Sequence, residues 1–186
     1  MGVGGGGGGR VMMVKQLFMS MACAAAMLGA VGIEAANAKD SALSTSGLPI
    51  PRYVSLKSDH VNVRAGPTKD NDVAWIYTKA GLPVEITAEF ENWRRIRDSE
   101  GAEGWVYHSL LSGRRTAVVT MKAKDDLAPL YDSADIQSAV AARLQAGVVA
   151  QVKHCATGWC HIAGDGFDGW IQQQRLWGVY ADEKIN

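Results

Sequence analysis

Val84, Ile86, Ala88 and Phe90 alternate with Pro83, Glu85, Thr87, Glu89 and Glu91, the period-2 pattern of a strand with one buried face. Shorter apolar runs surround this segment. Val61 and Val63 precede the turn Ala65-Gly66-Pro67, and Ala74-Trp75-Ile76-Tyr77 stops at Lys79-Ala80-Gly81. Trp93 and Ile96 then lead to Gly104-Trp105-Val106 and Leu110-Leu111. Gly and Pro punctuation between short apolar runs predicts strands joined by tight turns.

The layout recurs further along. Gly81, Trp93 and Ile96 match Gly147, Trp159 and Ile162 at an offset of 66 residues. Gly104, Trp105, Leu111 and Gly113 match Gly169, Trp170, Leu176 and Gly178 at 65. Paired Gly and Trp positions at a near-constant offset predict two copies of one small all-β unit, each a short-stranded barrel. Ala134–Leu144 has helix-compatible alanines, but it aligns with the Trp75 strand and is expected to be strand or irregular. The predicted organisation is a targeting segment over 1–38, a linker over 39–52, a first β-barrel over 53–118 and a second over 119–181. Trp93, Gly104, Trp105, Trp159, Gly169 and Trp170 are expected to form the shared structural frame.

The first 38 residues follow a different pattern. Gly4–Gly9 is a glycine run that builds no core, and one expectation is that translation starts at Met12 or Met13, which N-terminal sequencing of the precursor would test. Lys15 precedes an apolar run from Leu17 to Ile33, and Ala36-Asn37-Ala38 has the A-x-A form of a cleavage site. Cleavage is expected between Ala38 and Lys39, with export to the periplasm. The run of 17 residues is short for a membrane span, so no stable membrane insertion is expected after cleavage. Ser, Gly and Pro crowd the stretch from Lys39 to Pro51, as in a linker.

Composition changes this picture little. Of 186 residues, 47% are hydrophobic and 20% charged, an ordinary globular balance. Without residues 1–38 the chain carries 17 basic and 18 acidic groups. That balance lacks the basic excess of a nucleic-acid binder, so no nucleic-acid partner is expected. Two units of this size leave no room for a separate catalytic domain. The chain also lacks a Gly-x-Ser-x-Gly elbow, a His-Glu-x-x-His helix and a phosphate-cradling glycine loop. Neither enzymatic activity nor a cofactor is expected.

The segment Leu48-Pro49-Ile50-Pro51-Arg52-Tyr53-Val54-Ser55-Leu56-Lys57, followed by Val61-Asn62-Val63-Arg64-Ala65-Gly66-Pro67, resembles the start of a bacterial SH3-like domain. The resemblance continues through Gly81-Leu82-Pro83-Val84, Trp93–Asp98, Gly104-Trp105-Val106 and Leu110–Ala117, and covers about Leu48 to Tyr180. The whole is similar to exported tandem SH3-like proteins of Gram-negative bacteria. In the second copy Leu127-Ala128-Pro129-Leu130-Tyr131-Asp132 replaces the Asn-x-Arg-x-Gly-Pro signature. The resemblance implies two small β-barrels with a binding or scaffolding role in the cell envelope. Peptidoglycan is the first expected partner, and an extended peptide of another envelope protein is the alternative.

The candidate ligand-binding residues are Arg64, Trp75, Tyr77, Arg94, Arg95, Arg97, Tyr107 and Arg114, with Trp177 and Arg115 as further contributors. Aromatic rings suit stacking on sugars and peptides. Arginine presents a planar fork to carboxylates, and peptidoglycan stem peptides carry carboxylates. The competing reading places these arginines in ion pairs with Asp98, Glu91, Glu100 and Glu103, and has Arg64 pin the Gly66-Pro67 turn.

Cys155 and Cys160 flank Ala156-Thr157-Gly158-Trp159, a hairpin-turn sequence. An even cysteine count in an exported chain favours a disulfide. Cys155 is out of phase with Val152, so pairing requires a bulge or a twisted turn. With His154 and His161 the cysteines also suggest zinc or a Cys–His nucleophile. Adjacent strand residues face opposite ways, which opposes both, and no metal is expected.

Overall fold

The computed structural model describes residues 42–121 and 127–186. The expected targeting segment 1–38 and its cleavage point at Ala38 and Lys39 lie outside the described residues. β1 (Ala42–Leu43) and β2 (Pro49–Ile50) pair as a small antiparallel hairpin.

The first large sheet contains β3 (Arg52–Leu56), β4 (Val61–Arg64), β5 (Val73–Tyr77), β6 (Pro83–Phe90), β7 (Trp93–Arg97), β8 (Glu103–Tyr107) and β9 (Leu111–Ser112). Its order is β5-β4-β8-β7-β6-β3-β9. The second contains β10 (Thr116–Val119), β11 (Ala128–Tyr131), β12 (Val140–Leu144), β13 (Val149–Ala156), β14 (Trp159–Gly164), β15 (Phe167–Gln172) and β16 (Leu176–Trp177). Its order, β12-β11-β15-β14-β13-β10-β16, is the first order shifted by seven strands. A one-turn 3-10 segment precedes the last strand of each sheet, at His108–Leu110 and Gln173–Arg175. The all-β, two-unit architecture expected from the repeat is therefore present.

Two boundaries differ from expectation. β10 pairs with β13 and β16, so the division expected between residues 118 and 119 falls in the short segment after Ser112. All four residues of β10 are buried, which requires flanking strands, and the second sheet supplies them. The second unit also runs past residue 181. Cys155 and Ile185 exchange backbone hydrogen bonds of 2.9 and 3.0 Å, tying the C-terminal segment to β13. Within 134–144, only Val140–Leu144 is strand.

Register explains the phase of the inner faces. The β6–β7 pairing shifts between Ile86 and Ala88, and the β13–β14 pairing shifts between Val152 and His154. One extra residue on a strand reverses inward and outward positions beyond it. Ile86 and Val152 face inward before the bulge, and Glu89 and Cys155 face inward after it. Gly104 and Gly169 occupy equivalent places where β8 and β15 cross close to β4 and β11. A Cβ at Gly104 would run into Val63, and one at Gly169 would lie 2.7 Å from the Tyr131 carbonyl oxygen.

The first core is built from Leu56, Val61, Val63, Val84, Ile86, Ile96 and Val106. The second uses Val119, Ala128, Leu130, Ala150, Val152, Ile162 and Ile171 among its members. The swaps roughly conserve volume, as packed cores require: Val61 and Val84 become Ala128 and Ala150, while Val63 and Val106 become Leu130 and Ile171.

Both sheets belong to one compact unit, Lys39–Asn186. Tyr53 of β3 packs against Trp177 and Tyr180, with ring centroids 5.1 and 4.6 Å away. The Tyr180 hydroxyl lies 2.9 Å from Glu85 Oε1. Glu85 is buried in β6 and also accepts from Arg97 Nε at 3.0 Å. Burial together with the nearby Glu85 charge pushes the Tyr53 hydroxyl pKa up to about 12. Trp177, expected as a groove residue, instead packs against Tyr53 of the first unit.

Candidate ligand-binding site

Alternation along β4 buries Val61 and Val63 and turns Asn62 and Arg64 outward. Across the sheet, Trp93 opens β7 and stands directly opposite Tyr107 at the end of β8. Their rings meet edge to face, 5.5 Å apart at 82°. Asn62, Arg64, Lys69, Trp93, Tyr107 and Ser109 line a pocket of about 310 Å³. Arg64 Nη1 donates to the Asn71 carbonyl at 2.6 Å. This bond holds the turn between β4 and β5 and fixes the guanidinium at the pocket wall. Among the described residues no carboxylate pairs with Arg64 or Lys69. The site thus combines two cations with an aromatic pair.

Of the predicted ligand residues, the structure brings Arg64 and Tyr107 together here, joined by Trp93 from the expected frame. Trp75 and Tyr77 lie elsewhere, packed against the first core. The Tyr77 hydroxyl donates to Asp98 Oδ2 at 2.7 Å, and burial reinforced by this bond pushes its pKa up.

Arg94, Arg95 and Arg97 have carboxylate partners within the chain. Arg94 Nε lies 3.1 Å from Glu89 Oε1, and Arg52 Nη2 reaches the same oxygen at 2.6 Å. The Glu89 side chain is 1% exposed. Burial alone would raise its pKa, but hydrogen bonds from Arg52, the Ser46 backbone N–H and the Ser44 and Ser46 hydroxyls outweigh that and hold it at about 2. Arg95 pairs with Glu103 at 2.6 Å, and Arg97 with Glu85. Arg115 pairs with Glu183 at 2.6 Å. Arg114 is exposed and lines a separate cleft with Lys153. Of the four carboxylates expected as partners of these arginines, only Glu103 serves; Glu85, Glu89 and Glu183 replace the rest.

Cys155 and Cys160 stand directly opposite each other and form a disulfide, with Cα atoms 4.1 Å apart. The bulge required by their phase is present between Val152 and His154. The disulfide removes both sulfurs from zinc ligation and from nucleophilic chemistry. His154 and His161 are also opposed. His161 stacks on Trp170 with centroids 5.0 Å apart, and its Nε2 lies 2.6 Å from Asp168 Oδ1.

The four frame tryptophans divide unequally. Trp93 is 7% exposed, whereas Trp105, Trp159 and Trp170 are half-buried. Asn62 and Lys69 were not among the predicted site residues. Asn62 was legible as the outward neighbour of Arg64, but nothing in the sequence placed Lys69 beside Trp93.

The family model described as Bacterial SH3 domain matches residues 57–113 and again 124–178. The chain belongs to the bacterial SH3 domain family. Among solved structures, NlpC2 from Trichomonas vaginalis is 13% identical, with 68% of this chain and 48% of that chain covered at a TM-score of 0.30. NlpC1 from Trichomonas vaginalis is 16% identical, with 72% and 48% covered, also at 0.30. The match spans about half the length of each. No curated protein matches the sequence. In this bacterial SH3 protein the Asn-x-Arg-x-Gly-Pro signature of the first module supplies two walls of the cationic pocket, through Asn62 and Arg64. The second module has Pro129 and Tyr131 at those places.

Proposed function

We propose that this tandem bacterial SH3 protein is a non-enzymatic periplasmic binding protein whose ligand is a cell-envelope component, peptidoglycan first. The observation that carries this reading is the pocket of the first module, where Arg64 and Lys69 flank Trp93 and Tyr107. Tyr107, the more exposed ring of the pair, offers an apolar face to a peptide or sugar over buried Trp93, and the two cations suit a carboxylate, Arg64 through a planar fork. Stem peptides of peptidoglycan present that combination of short apolar side chains and free carboxylates.

Co-sedimentation of the exported protein with purified peptidoglycan tests the proposal. Lys69→Glu is expected to weaken retention at least tenfold at low salt, with an unchanged thermal midpoint because Lys69 is exposed. Absence of co-sedimentation, or full retention by that variant, defeats the reading.

The second reading is docking of an extended peptide from another envelope protein. It draws support from β5, the terminal strand of the first sheet, where Val73 and Ile76 are 41% and 44% exposed. An outer strand with exposed apolar residues can accept an added strand. Crosslinked recovery of a protein complex, without retention on peptidoglycan, favours this alternative.

A further inference from the structure

We infer that the second module carries a distinct site for an uncharged, amide-bearing sugar. Trp159, Gln172 and Gln174 occupy the places of Trp93, Tyr107 and Ser109. With Gln173 and Asp182 they line a pocket of about 340 Å³. That volume is at the low end of the roughly 300–1,000 Å³ typical of small-ligand sites, and suits a single ring with its substituents.

Three observations set the ligand class. Trp159 is half-exposed, unlike buried Trp93, and leans edge to face on Tyr131 at 5.5 Å. An indole surface at a pocket wall suits the apolar face of a pyranose ring. The neighbouring polar groups are amides. Gln173 is 5% exposed, and its Nε2 donates to the Tyr180 and Glu183 carbonyls at 2.8 and 3.0 Å. These bonds fix the side chain, and its Oε1 is buried without a hydrogen-bond partner, so the amides that reach the pocket surface are those of Gln172 and Gln174. Amides both donate and accept, matching sugar hydroxyls and the N–H of an acetamido group. Finally, no Lys or Arg lines the pocket, and its one charged residue, Asp182, repels an anion while accepting from hydroxyls.

The first module's pocket has the opposite character, so the tandem presents a carboxylate site and a neutral-sugar site on one chain. The inference rests on the envelope reading only for the source of the sugar. Titration calorimetry of the exported protein separates the two. An N-acetylglucosamine trimer is expected to bind at least tenfold more tightly than a glucose trimer. Gln174→Ala combined with Asp182→Asn should reduce trimer affinity at least tenfold, and Lys69→Glu should leave it unchanged. Both altered positions of the double variant are exposed, and asparagine tolerates the positive φ of 58° at residue 182.

No trimer binding at millimolar concentration overturns the inference, as does equal binding of the two sugars or loss of binding in Lys69→Glu. If the double variant loses affinity for a stem tetrapeptide and not for the trimer, the pocket is a peptide site and the inference falls. Trimer binding without retention on peptidoglycan leaves the sugar site standing and removes the envelope reading.

Discussion

Glu89 and Arg94 of the first module stand at the same register positions as Cys155 and Cys160 of the second. One barrel links β6 to β7 by a buried ion pair; the other links β13 to β14 by a covalent bond. A neighbouring correspondence is equally close: Arg95–Glu103 in the first module is matched by His161–Asp168 in the second. A third has no match, because Gln151 and Ala163 replace Glu85 and Arg97. The sheet geometry thus specifies which positions meet across the strands and leaves the chemistry of the meeting free. The first module's Glu89 link is sensitive to acid, and the second module's principal link is sensitive to reductant.

The largest expected difference concerns the leading tryptophans. Trp93→Ala should cost about 3–5 kcal/mol, because a buried indole leaves a cavity. Half-exposed Trp159→Ala should cost about 2 kcal/mol, since less area returns to water. Urea unfolding of the two variants checks this, and equal losses would break the contrast between a buried ring and a partly exposed one.

Next comes the covalent link. Cys155→Ala with Cys160→Ala should lower stability by about 2 kcal/mol, the chain-entropy value for so short a loop. Hydrogen exchange should show lost protection in the β13–β14 hairpin and at Ile185, with β6–β7 unaffected. Spread of the loss into the first module would show that the two cores are more tightly coupled than their separate links imply.

Tyr180→Phe tests that coupling directly. Removing the hydroxyl from buried Glu85 should cost about 1–2 kcal/mol and loosen the junction, since Arg97 then remains the carboxylate's principal partner. A calorimetric transition that broadens or splits is expected; a single unchanged transition would mean that the Tyr53–Trp177 contact suffices.

A further contrast lies in acid sensitivity. The Glu89 carboxyl has a pKa of about 2 in the folded protein against an ordinary 4.5. Its contribution is therefore complete above about pH 5 and is lost as pH falls through that interval toward 2. Glu89→Gln should flatten the decline of the thermal midpoint between pH 5 and pH 2. An unchanged slope would assign the acid response to other carboxylates, among them Glu183, whose pKa is also lowered by Arg115 despite its burial.

Much of the fold was legible in the sequence because alternation and turn chemistry are local. Val84–Phe90 announced β6, and the Gly and Trp offsets announced the duplication. The A-T-G-W turn and the phase of Val152 against Cys155 even required the bulge that the structure contains. The placement of β10 was not legible: Thr116–Val119 adjoins the first module in sequence but hydrogen-bonds in the second. Arg64 and Tyr107, both readable as candidates from type alone, do line one pocket. Lys69 was not, because a residue in a turn reaches Trp93 only through the return of β8 beside β4.

Strand positions, the two-copy plan and the cysteine pair follow from the order of side chains, since each depends on near neighbours or on matched spacing. The partners of the charged residues depend on which distant strands lie side by side. Arg94 could have met a ligand or a carboxylate on identical local grounds, and the β6–β7 register gave it Glu89. The same packing buried Glu85 at the junction of the modules and left Trp159 half-exposed where its counterpart is covered. Burial and long-range pairing are properties of the assembled sheets, and they separate framework from candidate binding surface here.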